Sequence, residues 1–109
     1  MTDQETVQEI VHRIVAAAHP EQIILFGSRA RDEAREDSDV DLLVIESEPF
    51  GPKRTRLGEI GRLESAIGRI SLATDLLVYS RSEIEQWRNS TNHVISRALR
   101  EGRVLYARH

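Results

Sequence analysis

Cysteine is absent from the chain, and so is any apolar run approaching the roughly 20 residues of a membrane span. The first absence excludes a disulfide framework, a thiolate nucleophile and Cys-ligated zinc or iron, so stability must come from packing. The second, with a polar and acidic N-terminal stretch in place of a basic segment followed by an apolar one, gives the cytoplasm as the expected location. An excess of positive charge is missing too: 15 Lys and Arg stand against 18 Asp and Glu, a formal charge of −3. That balance argues against gripping duplex nucleic acid through its phosphates, yet it is compatible with a single nucleotide carried with metal ions. At 109 residues the chain suits one compact domain over 1–109, so recognition of a large substrate must rest on something else.

Apolar periodicity supplies the elements. Val7, Ile10, Val11, Ile14, Val15 and Ala18 recur at helical spacing over residues 4–18, with Thr2 and Glu5 placed as a capping box and Pro20 beyond the end. Ile23 to Phe26 is a continuous apolar run stopped by Gly27, the pattern of a strand buried on both faces. A short helix is expected from Ser28 to about Ala34, its first N–H groups aimed at whatever occupies the Gly-Ser turn. Val40 to Ile45 reads as a second strand, followed by a polar stretch from Glu46 to Pro52. Leu57, Ile60, Leu63 and Ile67 suggest a helix between Lys53 and Gly68, weakened by Gly58 and Gly61 at about 1 kcal/mol each. Leu72 to Tyr79 is a third strand. Ser80 and Glu83 then open one long closing helix whose inner stripe is Ile84, Trp87, Thr91, Ile95 and Ala98 or Leu99, ending at Gly102 before a short strand over Val104 to Tyr106.

The chemistry gathers around residues 27–41. Side chains two apart on a strand share a face, so Asp39 and Asp41 set two carboxylates side by side at the edge of an apolar strand. Like charges held that close repel, and Asp is otherwise depleted from strands, so a bound divalent cation is the expected compensation. Oxygen ligands without Cys favour magnesium or manganese over zinc. Asp75, in the string Thr74-Asp75-Leu76-Leu77-Val78, repeats the pattern of Asp41-Leu42-Leu43-Val44 and is the candidate third carboxylate. Gly27 and Ser28 are the candidate phosphate turn, with Arg29 a candidate for steadying a triphosphate. Of Arg29 and Arg31, one is expected to face solvent or to pair with Glu33 or Asp37. His12, His19, His93 and His109 show no metal-ligand spacing with one another, which leaves surface or capping roles.

In Gly27-Ser28, ten residues and then Asp39-Val40-Asp41, the stretch from Ile23 to Ile45 resembles the signature of the minimal nucleotidyltransferases, within the DNA polymerase beta-like superfamily. The Gly-Ser-Arg-Ala-Arg run matches as well, whereas many relatives have glycine where this chain has Asp32. The resemblance implies an α/β fold with a small mixed β-sheet flanked by helices, which we expect on one side. It implies two magnesium ions on Asp39, Asp41 and Asp75, ATP as substrate, the outgoing phosphates on Gly27 and Ser28, and Asp75 helping to deprotonate an acceptor hydroxyl. It further resembles the antitoxin partners of HEPN-domain ribonuclease toxins, which implies AMP transfer to a tyrosine of such a toxin. Small size fits that acceptor, because an enzyme modifying a small molecule usually needs an added domain to hold it. Two other readings are transfer to a small molecule or an RNA 3′ end, and neutralisation of the partner by stoichiometric binding alone.

Overall fold

The structure is a computed structural model that describes residues 2–35, 38–90 and 93–108. In chain order the elements are α1 (Asp3–Ala18), β1 (Gln22–Phe26), α2 (Gly27–Ala30), β2 (Val40–Glu46), α3 (Arg56–Ile67), β3 (Thr74–Ser80), α4 (Arg81–Trp87), α5 (Val94–Glu101) and β4 (Arg103–Ala107). They build a mixed sheet in the order β3-β2-β1-β4. Strand β1 runs antiparallel to both neighbours, while β2 and β3, joined through α3, are parallel.

Alternation along the central strands explains why they read as unbroken apolar runs. Ile23, Leu25, Leu42, Val44, Leu76 and Val78 point to one face, where Ile10 and Ile14 of α1 and Leu63 and Ile67 of α3 cover them. Ile24, Leu43 and Ile45 point to the other, beneath Ile84 of α4 and Ile95 and Ala98 of α5. Helices therefore lie on both faces, not on one as expected. Both predicted capping boxes form, Thr2 with Glu5 and Ser80 with Glu83. Helix α3 forms despite its glycines because Thr55 caps the Gly58 N–H at 3.1 Å and Leu63 and Ile67 are buried. Its predicted stripe is partly displaced, since Leu57 is 82% exposed. Among the described residues no helix is long and apolar enough to cross a membrane.

The closing helix is not one helix but two. Residues 89–92 read Asn-Ser-Thr-Asn, residue types favoured at caps and turns over helix interiors. His93 begins α5, its ring Nδ1 accepting from the Ile95 N–H at 3.1 Å, and the Ser96 hydroxyl donates to the carbonyls of Ser90 and His93. Trp87 consequently leaves the core. It is 37% exposed and stacks on the His93 ring at 4.6 Å. Thr91, assigned to the same stripe, lies outside the described residues.

At the far end of β2 two carboxyls are buried together. Arg54 contacts Glu46 at 2.6 Å and Glu59 at 3.6 Å, and Arg62 grips both oxygens of Glu59 at 2.8 Å. One oxygen of Glu46 is buried without a partner as an ionised group, which a proton shared with Glu59 satisfies. Burial, then the hydrogen bond to Glu59, push the Glu46 carboxyl up to about 7, while Arg62 holds Glu59 down to about 2. A raised carboxyl stabilises the folded state below its unfolded value and loses that contribution as pH climbs through its folded value. We expect wild-type stability in denaturant titrations to fall as pH rises from about 4.5 through about 7. Glu46→Gln, whose amide donates to Glu59 at any pH, should flatten that slope and be about 2 kcal/mol the more stable above it.

Candidate active site

Strand β1 ends where β2 and β3 begin, so Gly27 arrives beside Asp41 through the Phe26–Asp41 pairing. Gly27 has φ +73°, and a Cβ there would stand 2.2 Å from Oδ2 of Asp41. Only glycine allows the carboxylate to seat against the turn. Ser28 follows in α2, shorter than expected, and among the described residues its hydroxyl makes no hydrogen bond. The chain then turns through Asp32 at φ +57°, a left-handed conformation that glycine adopts more readily than aspartate.

Asp41 pairs directly with Asp75 across the parallel β2–β3 ladder, so both side chains leave the sheet on the face covered by α4 and α5. Burial first, and then the charges of Asp75 and Asp39, raise the Asp41 carboxyl above its ordinary range, against the smaller pull of Arg29 and Arg31. Asp39 and Asp75 are exposed to solvent. The three acids thus share one end of the sheet and feel one another. Among the described residues, however, no three His, Cys, Asp or Glu side chains are already gathered at the spacing of a metal centre. As a donor set they fit a hard divalent cation: oxygen only, mutually repelling, and with no cationic side chain bonded to any of the three among the described residues.

A pocket of about 380 Å³ opens beside Asp41, lined on one side by Phe26, Gly27, Ser28 and Arg31 and on the other by Val94, Arg97, Ala98 and Glu101 of α5. Arg29 is not brought to it. Its guanidinium donates to the Ser38 carbonyl at 2.6 Å and 3.2 Å and pairs with Asp3 at 3.3 Å, facing the groove between α1 and β4. There it fixes the peptide that precedes Asp39. Arg31 pairs with Glu33 at 3.2 Å, as one of the two arginines was expected to do; Asp37 lies outside the described residues. Sequence reasoning did not find the α5 wall. Its signal is the stripe Val94, Arg97, Ala98, Glu101 at one-face helical spacing, visible only once the preceding helix is seen to end at Trp87.

Residues 8–109 match the family described as Polymerase beta, Nucleotidyltransferase, and the chain belongs to that family. Enzymes of this family generally combine a nucleotide substrate with a divalent metal. Among solved structures it resembles a candidate nucleotidyltransferase from Sulfolobus solfataricus, at 21% identity and a TM-score of 0.62, covering 95% of this chain and 79% of that one. It also resembles a chain from the crystal structure of a toxin–antitoxin with AMP-PNP, at 17% identity and a TM-score of 0.57, covering 99% of this chain and 76% of that one. These likenesses establish a common fold. No curated protein matches the sequence.

Two outcomes test this geometry. Gly27→Ala should lose about 2 kcal/mol or more in denaturant titrations, through the clash with Asp41 and the positive φ together. Asp32→Gly should raise stability or leave it unchanged, because the left-handed backbone suits glycine better; a loss of about 1 kcal/mol would show that the Asp32 side chain matters in itself.

Proposed function

We propose that the protein is a magnesium-dependent nucleotidyltransferase that moves AMP from ATP to a hydroxyl, a tyrosine of a HEPN-domain toxin, and so acts as an antitoxin. The observation that carries the reading is the Asp41–Asp75 pairing at one end of the sheet with Gly27 seated against Asp41, and membership of the nucleotidyltransferase family supports it. The likeness to a toxin–antitoxin structure supports the choice of partner.

Asp39, Asp41 and Asp75 would hold two magnesium ions, which when bound neutralise developing charge on the phosphates and sharpen the acceptor oxygen as a nucleophile. Gly27 and Ser28 carry the outgoing phosphates, the Ser28 hydroxyl donating to a phosphate oxygen. The acceptor oxygen attacks the α-phosphorus, its proton passes to the Asp75 carboxylate, and the bond to pyrophosphate breaks in line. In this reading Arg29 contributes by holding the Ser38 carbonyl, which sets the position of Asp39.

The test is to incubate the protein with the product of the adjacent reading frame, magnesium, and ATP labelled on either the α- or the γ-phosphate. Label from the α-position alone on the partner supports the reading. A stable complex without label leaves only stoichiometric binding, and γ-label would mean a kinase. Asp41→Asn should abolish transfer, a loss of at least about 10²-fold, whereas Ser28→Ala should lose about tenfold. Because Asp41 sits among like charges, the same Asp41→Asn change should raise thermal stability while activity disappears.

A further inference from the structure

Three arginines stand near the pocket, and their partners differ. Arg29 is engaged by Ser38 and Asp3. Arg31 is shared between Glu33 at 3.2 Å and Glu101 at 3.7 Å, the second contact reaching across the pocket from its loop to α5. Arg97 lines the same pocket, and among the described residues its guanidinium makes neither an ion pair nor a hydrogen bond.

Its place is not accidental to the helix. Ile95 and Ala98 are buried against the sheet at 0% and 2% exposure, which fixes the rotation of α5 and turns Val94, Arg97 and Glu101 toward the opening. The opposite wall carries Gly27, Ser28 and Asp41. An anionic tail entering between these walls meets acids on one side and needs fixed positive charge on the other. A guanidinium presents its donors in a planar fork that matches phosphate oxygens. The Arg31–Glu101 contact joins side chains that are 41% and 43% exposed, so it is weak and readily exchanged for a phosphate.

We propose that Arg97, with Arg31 across the pocket, holds the polyphosphate tail of the nucleoside triphosphate, and that Glu101 occupies Arg31 until that tail arrives. The proposal rests on the nucleotidyl-transfer reading above and adds a second wall to its substrate site. Arg97 is a binding residue here and takes no part in moving the proton.

Titration calorimetry with magnesium and the non-transferable α,β-methylene-ATP, and separately with AMP, tests it on wild type, Arg97→Gln, Arg97→Lys and Glu101→Gln. Arg97→Gln should weaken the triphosphate analogue about tenfold and change AMP by less than about twofold, with Arg97→Lys intermediate. Glu101→Gln should tighten the analogue by releasing Arg31. Wild-type affinity in Arg97→Gln, or an equal loss for AMP and the analogue, overturns this assignment while leaving the nucleotidyl-transfer reading in place. Absence of binding by the wild-type protein itself overturns both.

Discussion

Apolar burial on both faces of the sheet is the constraint that holds Asp41 beside Asp75. The two carboxylates would separate if the strands could slip, but Leu42–Leu76 and Val44–Val78 face α1 and α3 while Leu43–Leu77 and Ile45–Tyr79 face α4 and α5. A slip of one residue would exchange the two sets and expose Asp-bearing positions to the core. Apolar burial on both faces therefore forces like charges together, and the chain holds them there at a local expense in stability.

The two faces divide the work. The α1–α3 face is packed where the two helices meet the sheet and opens only in the groove between α1 and β4, and its polar features serve to hold elements in place: Arg29 on Ser38, Arg62 on Glu59. The α4–α5 face is packed only where Ile84, Ile95 and Ala98 meet the sheet, and beyond Ala98 it opens into the pocket. Gly102 lets α5 end close against the sheet. A Cβ there would meet the Ala98 carbonyl at 2.4 Å and Ile24 at 2.5 Å, so only glycine lets the chain leave α5 and re-enter the sheet as β4 at such close range.

Much of this was legible in the residues. The strands announced themselves as apolar runs because both faces are covered, and the Asp39–Asp41 spacing combined with the repeated Asp-Leu-Leu-Val string located Asp75 in register with Asp41. The capping boxes read correctly because their partners lie three residues apart. What failed depended on distant contacts. Trp87 looked like core only while residues 81–101 were taken as a single helix, whereas it is the last residue of α4 and lies at the surface. Arg29 has the right chemistry for a phosphate, but Ser38 and Asp3 claim it first, and one of those partners comes from the start of the chain. Helices on a single face were expected because periodicity does not say which side of a sheet a helix covers.

The order of the elements along the chain has a temporal side. All three acids and the glycine turn precede residue 76, whereas the facing wall of the pocket is drawn from residues 94–101. A nascent chain leaving the ribosome thus has these acids and the turn well before it has an enclosure for them. The cleft is walled only when α5 docks through Ile95 and Ala98 and β4 pairs with β1, so that a later stretch of chain turns an acidic edge into a compartment.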